Sequence, residues 1–256
     1  FVSKKGAVTI KARSDKPNID AAITKINNEY LNENLIKKMV DTLMEWYLKL
    51  RATELDNWFM DPEEWINEQM ASSYEYQIRP CAENFFQDLI NTFPELLASY
   101  LLNKIETSAS TLSDSLEDFL RKDAIYAAFQ LSASAVSEMV DFDRLLPTVF
   151  LPEAAGSNTP GERLKIIRRR VALIINEWSI VKCSEESKNL CYKFFAEMLA
   201  TEEDKVVLLT VVQSLRTMLD DWNFNKDNFE PYLNSVASLL LRKILPSVSL
   251  TETRLY

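Results

Sequence analysis

The sequence contains no histidine and only three glycines, Gly6, Gly156 and Gly161. Without histidine the chain cannot supply a Ser-His-Asp or Cys-His nucleophile system, and it lacks the commonest zinc ligand. Scarce glycine argues against a parallel α/β fold and a phosphate-binding loop, because both need glycine where the backbone turns tightly or approaches a ligand. These absences predict a protein that is not an enzyme, with no catalytic residues, no metal site and no cofactor.

Cysteine pairs, long apolar runs and excess basic charge are also missing. The three cysteines, Cys81, Cys183 and Cys191, show no CxxC spacing, which predicts reduced thiols. Apolar runs such as 171–175 and 239–241 are far shorter than the roughly 20 residues that a membrane-spanning helix needs, so no membrane is expected. The net charge of −9 argues against a nucleic-acid partner, which requires a basic surface. An acidic surface serves solubility or attracts basic proteins, and both interpretations stay open.

Apolar residues recur at helical spacing almost throughout the chain. In 205–219, Val207, Val211 and Leu215 fall at i, i+4 and i+8, which indicates an amphipathic helix with one buried face. Helix starts are marked by a capping residue, a proline and acids, as in the stretch 61–64 (Asp-Pro-Glu-Glu). Two loops are predicted, a Pro/Gly-containing one at 151–161 and a Ser/Thr-rich one at 107–115. Four tryptophans at helical spacing are predicted to be packing groups: Trp58, Trp65, Trp178 and Trp222.

A degenerate repeat runs through this helical pattern. Four helices are predicted to begin with a charged residue, at Arg79, Asp123, Arg170 and Lys205, which are 44, 47 and 35 residues apart (79 to 123, 123 to 170, 170 to 205). Another helix precedes each of them, at about 53–70, 94–106, 143–150 and 186–199. This alternation is typical of HEAT-type repeats and predicts an all-α fold, an α-solenoid of HEAT-type helical hairpins (an α-α superhelix).

The predicted hairpins together form a single solenoid segment. They occupy 20–50, 53–92, 94–137, 143–182 and 186–222, and 229–244 would be the first helix of the next. The first residue is Phe1 and the last, Tyr256, follows a polar stretch. We therefore expect the chain to be a segment of a longer protein.

One acidic and aromatic stretch is the first candidate for a partner-facing surface. No Lys or Arg occurs from Ala52 to Ile78. An acidic surface with exposed aromatics could hold a basic peptide or domain, whereas a solvated helix face with aromatics packed inward explains the pattern equally well. The candidate protein-binding residues in this stretch are Glu54, Asp56, Asp61, Glu63, Glu64 and Trp65.

The run Arg168-Arg169-Arg170 is the strongest basic patch. Three successive helical residues span most of a turn, so their side chains must point in different directions. We predict that at least one of them faces a neighbouring helix and pairs with a carboxylate. A ligand contact is the alternative, and Arg168 and Arg169 are kept as candidate protein-binding residues.

Several short motifs, in order along the chain, resemble the importin-β (karyopherin-β) superfamily of nuclear transport receptors, and within it the central region of the importin eleven branch. The resemblance covers about residues 53–245. The motifs that carry it are Trp58, Asp61-Pro62-Glu63-Glu64, Ile78-Arg79-Pro80-Cys81-Ala82-Glu83, Lys122-Asp123-Ala124-Ile125-Tyr126, and Arg168-Arg169-Arg170-Val171 running to Glu177-Trp178.

This resemblance implies a receptor that binds protein cargo, basic cargo included, together with Ran-GTP and phenylalanine-glycine nucleoporins, and that shuttles between cytoplasm and nucleus. It implies that the main Ran contacts lie outside this segment, and it assigns no cargo-binding residue. A HEAT-repeat scaffold or adaptor subunit with no role in transport is the alternative, and composition and periodicity do not separate the two.

Overall fold

A computed structural model of the protein describes residues 10–71, 77–110, 115–156 and 161–249, and every regular element within these ranges is a helix. This confirms the predicted all-α fold of helical hairpins. The chain divides into two compact units, residues 1–41 and 42–256.

The first unit contains helix α1 (Ile10–Lys25), a π-helical turn (Ile26–Tyr30) and most of helix α2 (Glu33–Leu43). Asn32 precedes α2, and its side-chain oxygen accepts the backbone N–H of Leu35 at 3.0 Å. This bond satisfies one of the N–H groups that the first turn of a helix leaves without a partner. The side chains of residues 16–26 are all exposed, so this part of the unit adds nothing to a core.

The second unit contains the end of α2 and all later helices. Its elements, in order, are a π-helical turn (Met44–Leu48), α3 (Ala52–Met60), α4 (Pro62–Ala71), α5 (Ile78–Thr92), α6 (Pro94–Ser110), α7 (Leu116–Leu131), α8 (Ala133–Val136), α9 (Phe142–Leu145), a π-helical turn (Leu146–Phe150), α10 (Leu151–Ala155), α11 (Gly161–Val181), α12 (Glu185–Thr201), α13 (Lys205–Leu219), α14 (Lys226–Leu239), a π-helical turn (Leu240–Ile244) and α15 (Leu245–Ser247).

Helices α5, α7, α11 and α13 pack side by side in chain order, and we call them the second-helix row. The preceding helices pack against this row: α6 contacts α7, α10 contacts α11, and α12 contacts α13 and α14. Stacking of this kind buries the apolar face that one hairpin cannot bury alone. The four charged residues used to find the repeat, Arg79, Asp123, Arg170 and Lys205, all lie on the second-helix row. Arg79 and Lys205 lie in the first turn of their helices, but the prediction of a helix start is wrong for Asp123 and Arg170, which lie in the middle of α7 and α11.

The packing prediction is confirmed for three of the four tryptophans, which are buried at 2% exposure or less. Trp178 lies parallel to the rings of Phe129, at 4.6 Å, and Phe142, at 5.1 Å, and donates its indole N–H to the carbonyl oxygen of Phe129 at 3.2 Å. The prediction is wrong for Trp222, which is fully exposed. That residue lies in the turn between α13 and α14, where no neighbouring helix can cover it.

The helix predicted at 53–70 is broken in two at Asp61. Pro62 has no N–H to donate and disfavours helical backbone at the residue before it. Asp61 accordingly leaves the helical region, at φ −142° and ψ 77°. Its carboxylate then accepts the backbone N–H of Glu64 at 3.2 Å. The turn changes the direction of the chain, so that α3 and α4 form a short hairpin of their own.

Both predicted loops are partly helical. Residues 151–155 form α10, because Pro152 lies in the first turn, where its missing N–H has no cost. Gly156 ends α10 at φ +51°, where an added Cβ would collide with the side chain of Leu164. In the other loop, α6 continues to Ser110, and the hydroxyl of Thr107 donates to the carbonyl of Asn103 at 2.8 Å. The rest of these loops, 157–160 and 111–114, lies outside the described residues.

Candidate protein-binding site

The stretch predicted to face a partner packs onto the second-helix row. We call α3 and α4 together, residues 52–71, the covering segment; α4 contacts α13. The indole nitrogen of Trp58 lies 3.0 Å from both carboxylate oxygens of Asp204. Asp204 is the N-cap of α13 and also accepts the backbone N–H of Val207 at 3.1 Å. One carboxylate therefore caps α13 and holds the covering segment, although it is 146 residues away from Trp58 in sequence.

Two carboxylates hold the covering segment, one in each of its helices. The Nη2 of Arg79 lies 2.6 Å and 2.9 Å from the two oxygens of Glu54. In the first turn of α4, Glu63 is only 3% exposed. It accepts hydrogen bonds from the ammonium group of Lys205 at 2.9 Å and from the backbone N–H and hydroxyl of Ser249 at 3.0 Å and 2.9 Å. Both candidate acids are thus engaged within the molecule.

The ionisation of Glu54 follows from this pairing. Burial on its own would raise the pKa of Glu54, but the hydrogen bond and the positive charge of Arg79 outweigh it and lower the pKa below its usual value. Arg51 adds to the same effect, since its backbone N–H donates to Glu54 at 2.8 Å. Glu54 is therefore an anion at neutral pH and part of a fixed ion pair.

Arg169 lies among the aromatic rings of the covering segment. Its guanidinium carbon is 4.6 Å from the ring centre of Trp65 and 5.7 Å from that of Trp58, and the two indoles are 5.1 Å apart. Arg169 is 7% exposed. Burial, followed by the nearby charge of Arg170, lowers the pKa of Arg169 to about 9, which leaves it a cation at neutral pH. Cation–π attraction offsets part of the cost of burying this charge.

The other two arginines of the run pair with carboxylates on neighbouring elements, which confirms the structural interpretation. Arg170 donates from Nε to Asp123 on α7 at 2.7 Å. Arg168 donates from Nη1 to Glu202, just beyond α12, at 2.7 Å, and from Nε to the carbonyl oxygen of Ala154 at 3.1 Å. These bonds tie α11 to the helices on both sides of it.

The outer side of the covering segment remains accessible. Asp56, Asp61 and Glu64 are exposed, and we call these three residues the acidic edge. Two large apolar side chains lie beside them, Phe59 at 54% and Met60 at 84% exposure. The structure therefore separates the eight candidate residues into two groups. The acidic edge faces solvent, whereas the others have contacts within the molecule: Glu54, Glu63, Trp65, Arg168 and Arg169.

A cavity of about 200 Å³ lies between the covering segment and the second-helix row. Its charged lining consists of Arg79, Glu83, Arg169 and Arg170, and its apolar lining includes Leu48, Leu50, Ile66 and Leu173. Burial raises the pKa of Glu83 although the three arginines act in the opposite direction. Polar side chains that can donate or accept hydrogen bonds complete the lining: Gln69, Gln130, Thr210 and Gln213.

Sequence reasoning missed the basic residues that receive the covering segment. Lys165 lies 3.7 Å above the ring of Phe59 and 3.5 Å from the carboxylate of Asp204. Arg79 and Lys205 were recognised only as helix starts. The sequence nevertheless contained a signal for this pairing. The stretch 52–78 has no basic residue, and later helices carry a basic residue in their first turn. Charge complementarity inside the chain would have been a third interpretation of the acidic stretch.

Within the described ranges no group of three or more cysteine, aspartate and glutamate side chains is placed to hold a metal ion. Cys81, Cys183 and Cys191 are free thiols. None of the helices in the described part of the chain has the length and hydrophobicity that crossing a bilayer requires.

Known proteins that resemble this chain are nuclear transport receptors. It is 77% identical over all 256 residues to the importin beta-like protein KAP120 of Saccharomyces cerevisiae. It is also 30% identical over 234 residues, 91% of the chain, to mouse importin-11. A solved structure described as that of Lph2, a novel bidirectional nuclear transport receptor in S. cerevisiae, matches 96% of the chain with a TM-score of 0.85 and 77% identity. No protein-family model matches the chain.

These relatives are much longer than the chain. It spans 25% of the length of KAP120, 24% of that of importin-11 and 25% of the Lph2 chain. The identity extends along the whole sequence, and the matched structure shares the arrangement of helices. The chain is therefore a close homologue of an importin-β-like nuclear transport receptor over about one quarter of that protein's length, and a more distant homologue of importin-11.

Proposed function

We propose that the chain works as part of a nuclear transport receptor, which carries protein cargo through the nuclear pore under the control of Ran-GTP and moves between cytoplasm and nucleus. The observation that carries this proposal is the 77% identity to KAP120 along the entire chain. Phenylalanine-glycine nucleoporins are further proposed partners of the whole receptor, and the main Ran contacts lie outside this segment. Transport in both directions is included, because the related Lph2 is described as bidirectional.

Within this function, the acidic edge is the proposed contact for a basic cargo. Its three carboxylates are exposed, and Phe59 and Met60 provide apolar surface next to them. Such a surface attracts a cationic partner electrostatically and then offers contact area for its side chains. Glu63 and Trp65 support this surface from behind, because they hold the covering segment on the second-helix row.

A chimeric receptor tests the transport function. The matching quarter of KAP120 is replaced by this chain, and the chimera is assayed for Ran-GTP-sensitive cargo binding and for nuclear delivery of the cargo. We expect behaviour like that of unmodified KAP120. The matched control replaces the same quarter with a helical-hairpin segment of equal length from a scaffold protein that has no transport role.

Two outcomes would reject the proposal. A folded chimera that still binds Ran-GTP but binds no cargo would favour the scaffold alternative. The same conclusion would follow if the control chimera transported cargo equally well, since any solenoid segment would then suffice.

The acidic edge has a separate test in the same receptor. The double variant Asp56→Lys/Glu64→Lys should weaken binding of a basic cargo at low salt, and the difference should shrink as salt screens the charges. The control, Glu95→Lys/Glu230→Lys, reverses two other exposed acids at comparable helix positions. Equal cargo affinity for the two variants at low salt would remove the acidic edge from the cargo surface.

A further inference from the structure

The cavity beneath the covering segment is lined by more basic than acidic side chains. Guanidinium groups of Arg79, Arg169 and Arg170 line it. Arg79 is paired with Glu54 at 2.6 Å, and Arg170 with Asp123 at 2.7 Å. Arg169 has no ion pair, and its Nε, although buried, has no hydrogen-bond acceptor among the described residues.

Arg169 remains a cation although it is buried and has no ion pair among the described residues. It is 93% buried, and its pKa, lowered by burial to about 9, still lies well above neutral pH. Its guanidinium lies over the indoles of Trp65 and Trp58. A ring face attracts the cation but accepts no strong hydrogen bond from it, so the rings leave the buried Nε–H without an acceptor. Buried charged donors of this kind are normally paired.

The remaining lining favours an anion over a cation. Glu83 is the one acid among the described lining residues, and burial raises its pKa although the three arginines oppose this. No ion pair or hydrogen bond joins Glu83 to an arginine within the described part of the chain. Gln130, whose amide oxygen accepts from Arg170, and Gln213 add amide groups to the same cavity, whereas the hydroxyl of Thr210 donates to the carbonyl of Val206.

We propose that this cavity binds a compact tetrahedral oxyanion of the phosphate class, with Arg169 as its principal ligand and Arg79 and Arg170 adding positive potential. The volume of about 200 Å³ greatly exceeds the space that one water molecule needs. The planar fork of an arginine matches a pair of phosphate oxygens. The anion would also join α4 to α11, because Arg169 already contacts Trp65. The inference goes beyond the transport function and does not depend on it.

Two sources offer the same chemistry, free inorganic phosphate and the phosphate of a phosphorylated side chain. Isothermal titration calorimetry on the purified chain distinguishes them, with inorganic phosphate in one arm and N-acetyl-phosphoserine amide in the other, at an ionic strength fixed with chloride. We expect saturable binding at one site in at least one arm, and the arm that binds identifies the source. Absence of binding in both arms would overturn the proposal.

Variants then locate the site. Arg169→Met should lower the affinity about tenfold or more, the loss expected for a hydrogen-bonded charged partner. Glu83→Gln should raise the affinity, because it removes a carboxylate that repels the anion, and a misfolded variant would not bind more tightly. The control Arg242→Met removes an exposed arginine and should change nothing.

Hydrogen exchange gives a readout that is independent of affinity. The anion should slow amide exchange in α4 and α11 of the unmodified chain and have no such effect in Arg169→Met. The site would be refuted if Arg169→Met and Arg242→Met weakened binding equally, or if a folded Glu83→Gln variant bound more weakly than the unmodified chain.

Discussion

Removing one member of the buried pair Asp123–Arg170 should destabilise the protein strongly. The side chain of Asp123 is 0% exposed and that of Arg170 is 8% exposed. Two bonds join them, at 2.7 Å and 3.2 Å. Asp123→Leu leaves the guanidinium buried, and among the described residues its remaining acceptor is the neutral oxygen of Gln130, at 2.6 Å. Losing one partner of such a pair costs about 3–5 kcal/mol, so we expect a loss of about 4 kcal/mol in the free energy of unfolding.

The double variant Asp123→Leu/Arg170→Met separates pairing from simple loss of contacts. Two apolar side chains of similar volume often replace a buried ion pair at little cost. We therefore expect the double variant to be more stable than either single variant. The assay is urea unfolding followed by far-UV circular dichroism, with hydrogen exchange to localise the change to α7 and α11.

An exposed pair provides the control for this experiment. Lys182 and Glu138 lie 3.1 Å apart, but their side chains are 46% and 84% exposed. Lys182→Met should change stability by less than about 1 kcal/mol. The reasoning fails if Asp123→Leu lowers the free energy of unfolding no more than this control does. It also fails if the loss in the double variant equals the sum of the losses in the two single variants.

Three further changes test other parts of the second unit. Trp178→Ala should lower the free energy of unfolding by about 3–5 kcal/mol, because it removes the stack on Phe129; a loss below about 1 kcal/mol in urea unfolding would contradict this. Burial raises the pKa of Glu177 in the folded state. The folded state therefore binds more protons than the unfolded state, and it loses stability as the pH rises through the range between the two pKa values. Glu177→Gln should therefore be more stable than the unmodified chain at neutral pH, and the difference should vanish in acid. A difference between the denaturation midpoints of the two proteins that stays constant with pH would contradict this. Glu63→Gln should speed amide exchange in α3 and α4, whereas Glu64→Gln, at an exposed position, should not; equal exchange rates in the two variants would show that Glu63 is not an anchor.

Local signals in the sequence were sufficient for individual helices. The helix predicted at 205–219 is observed as α13 with the same bounds, because Asp204 caps it and an uninterrupted apolar stripe follows. The loop predicted at 151–161 was partly wrong for an equally local reason, since Pro152 is compatible with the first turn of a helix. Where capping and periodicity agree, the sequence is enough to predict the element.

The site could not be predicted in the same way. The spacing of Trp58 and Trp65 indicated burial but not what would cover them, because their contacts, Asp204 and Arg169, lie far away in sequence. The acidic stretch was compatible with a partner or with solvent, and the structure adds a third possibility, pairing with Arg79 and Lys205 inside the chain. Docking of one segment onto another depends on three-dimensional arrangement, which composition and periodicity do not encode.

The position of the covering segment has a consequence for the order of folding. In a simple repeat array each hairpin touches only its neighbours, so folding can proceed hairpin by hairpin as the chain leaves the ribosome. Here the hydrogen bond of Trp58 cannot form before Asp204, 146 residues later, has been synthesised, and that of Glu63 cannot form before Ser249, 186 residues later. Contacts of such long range slow folding. The indole N–H of Trp58 and the carboxylate of Glu63 therefore lack these partners until most of the second unit has been synthesised, so the covering segment can dock fully only late in folding.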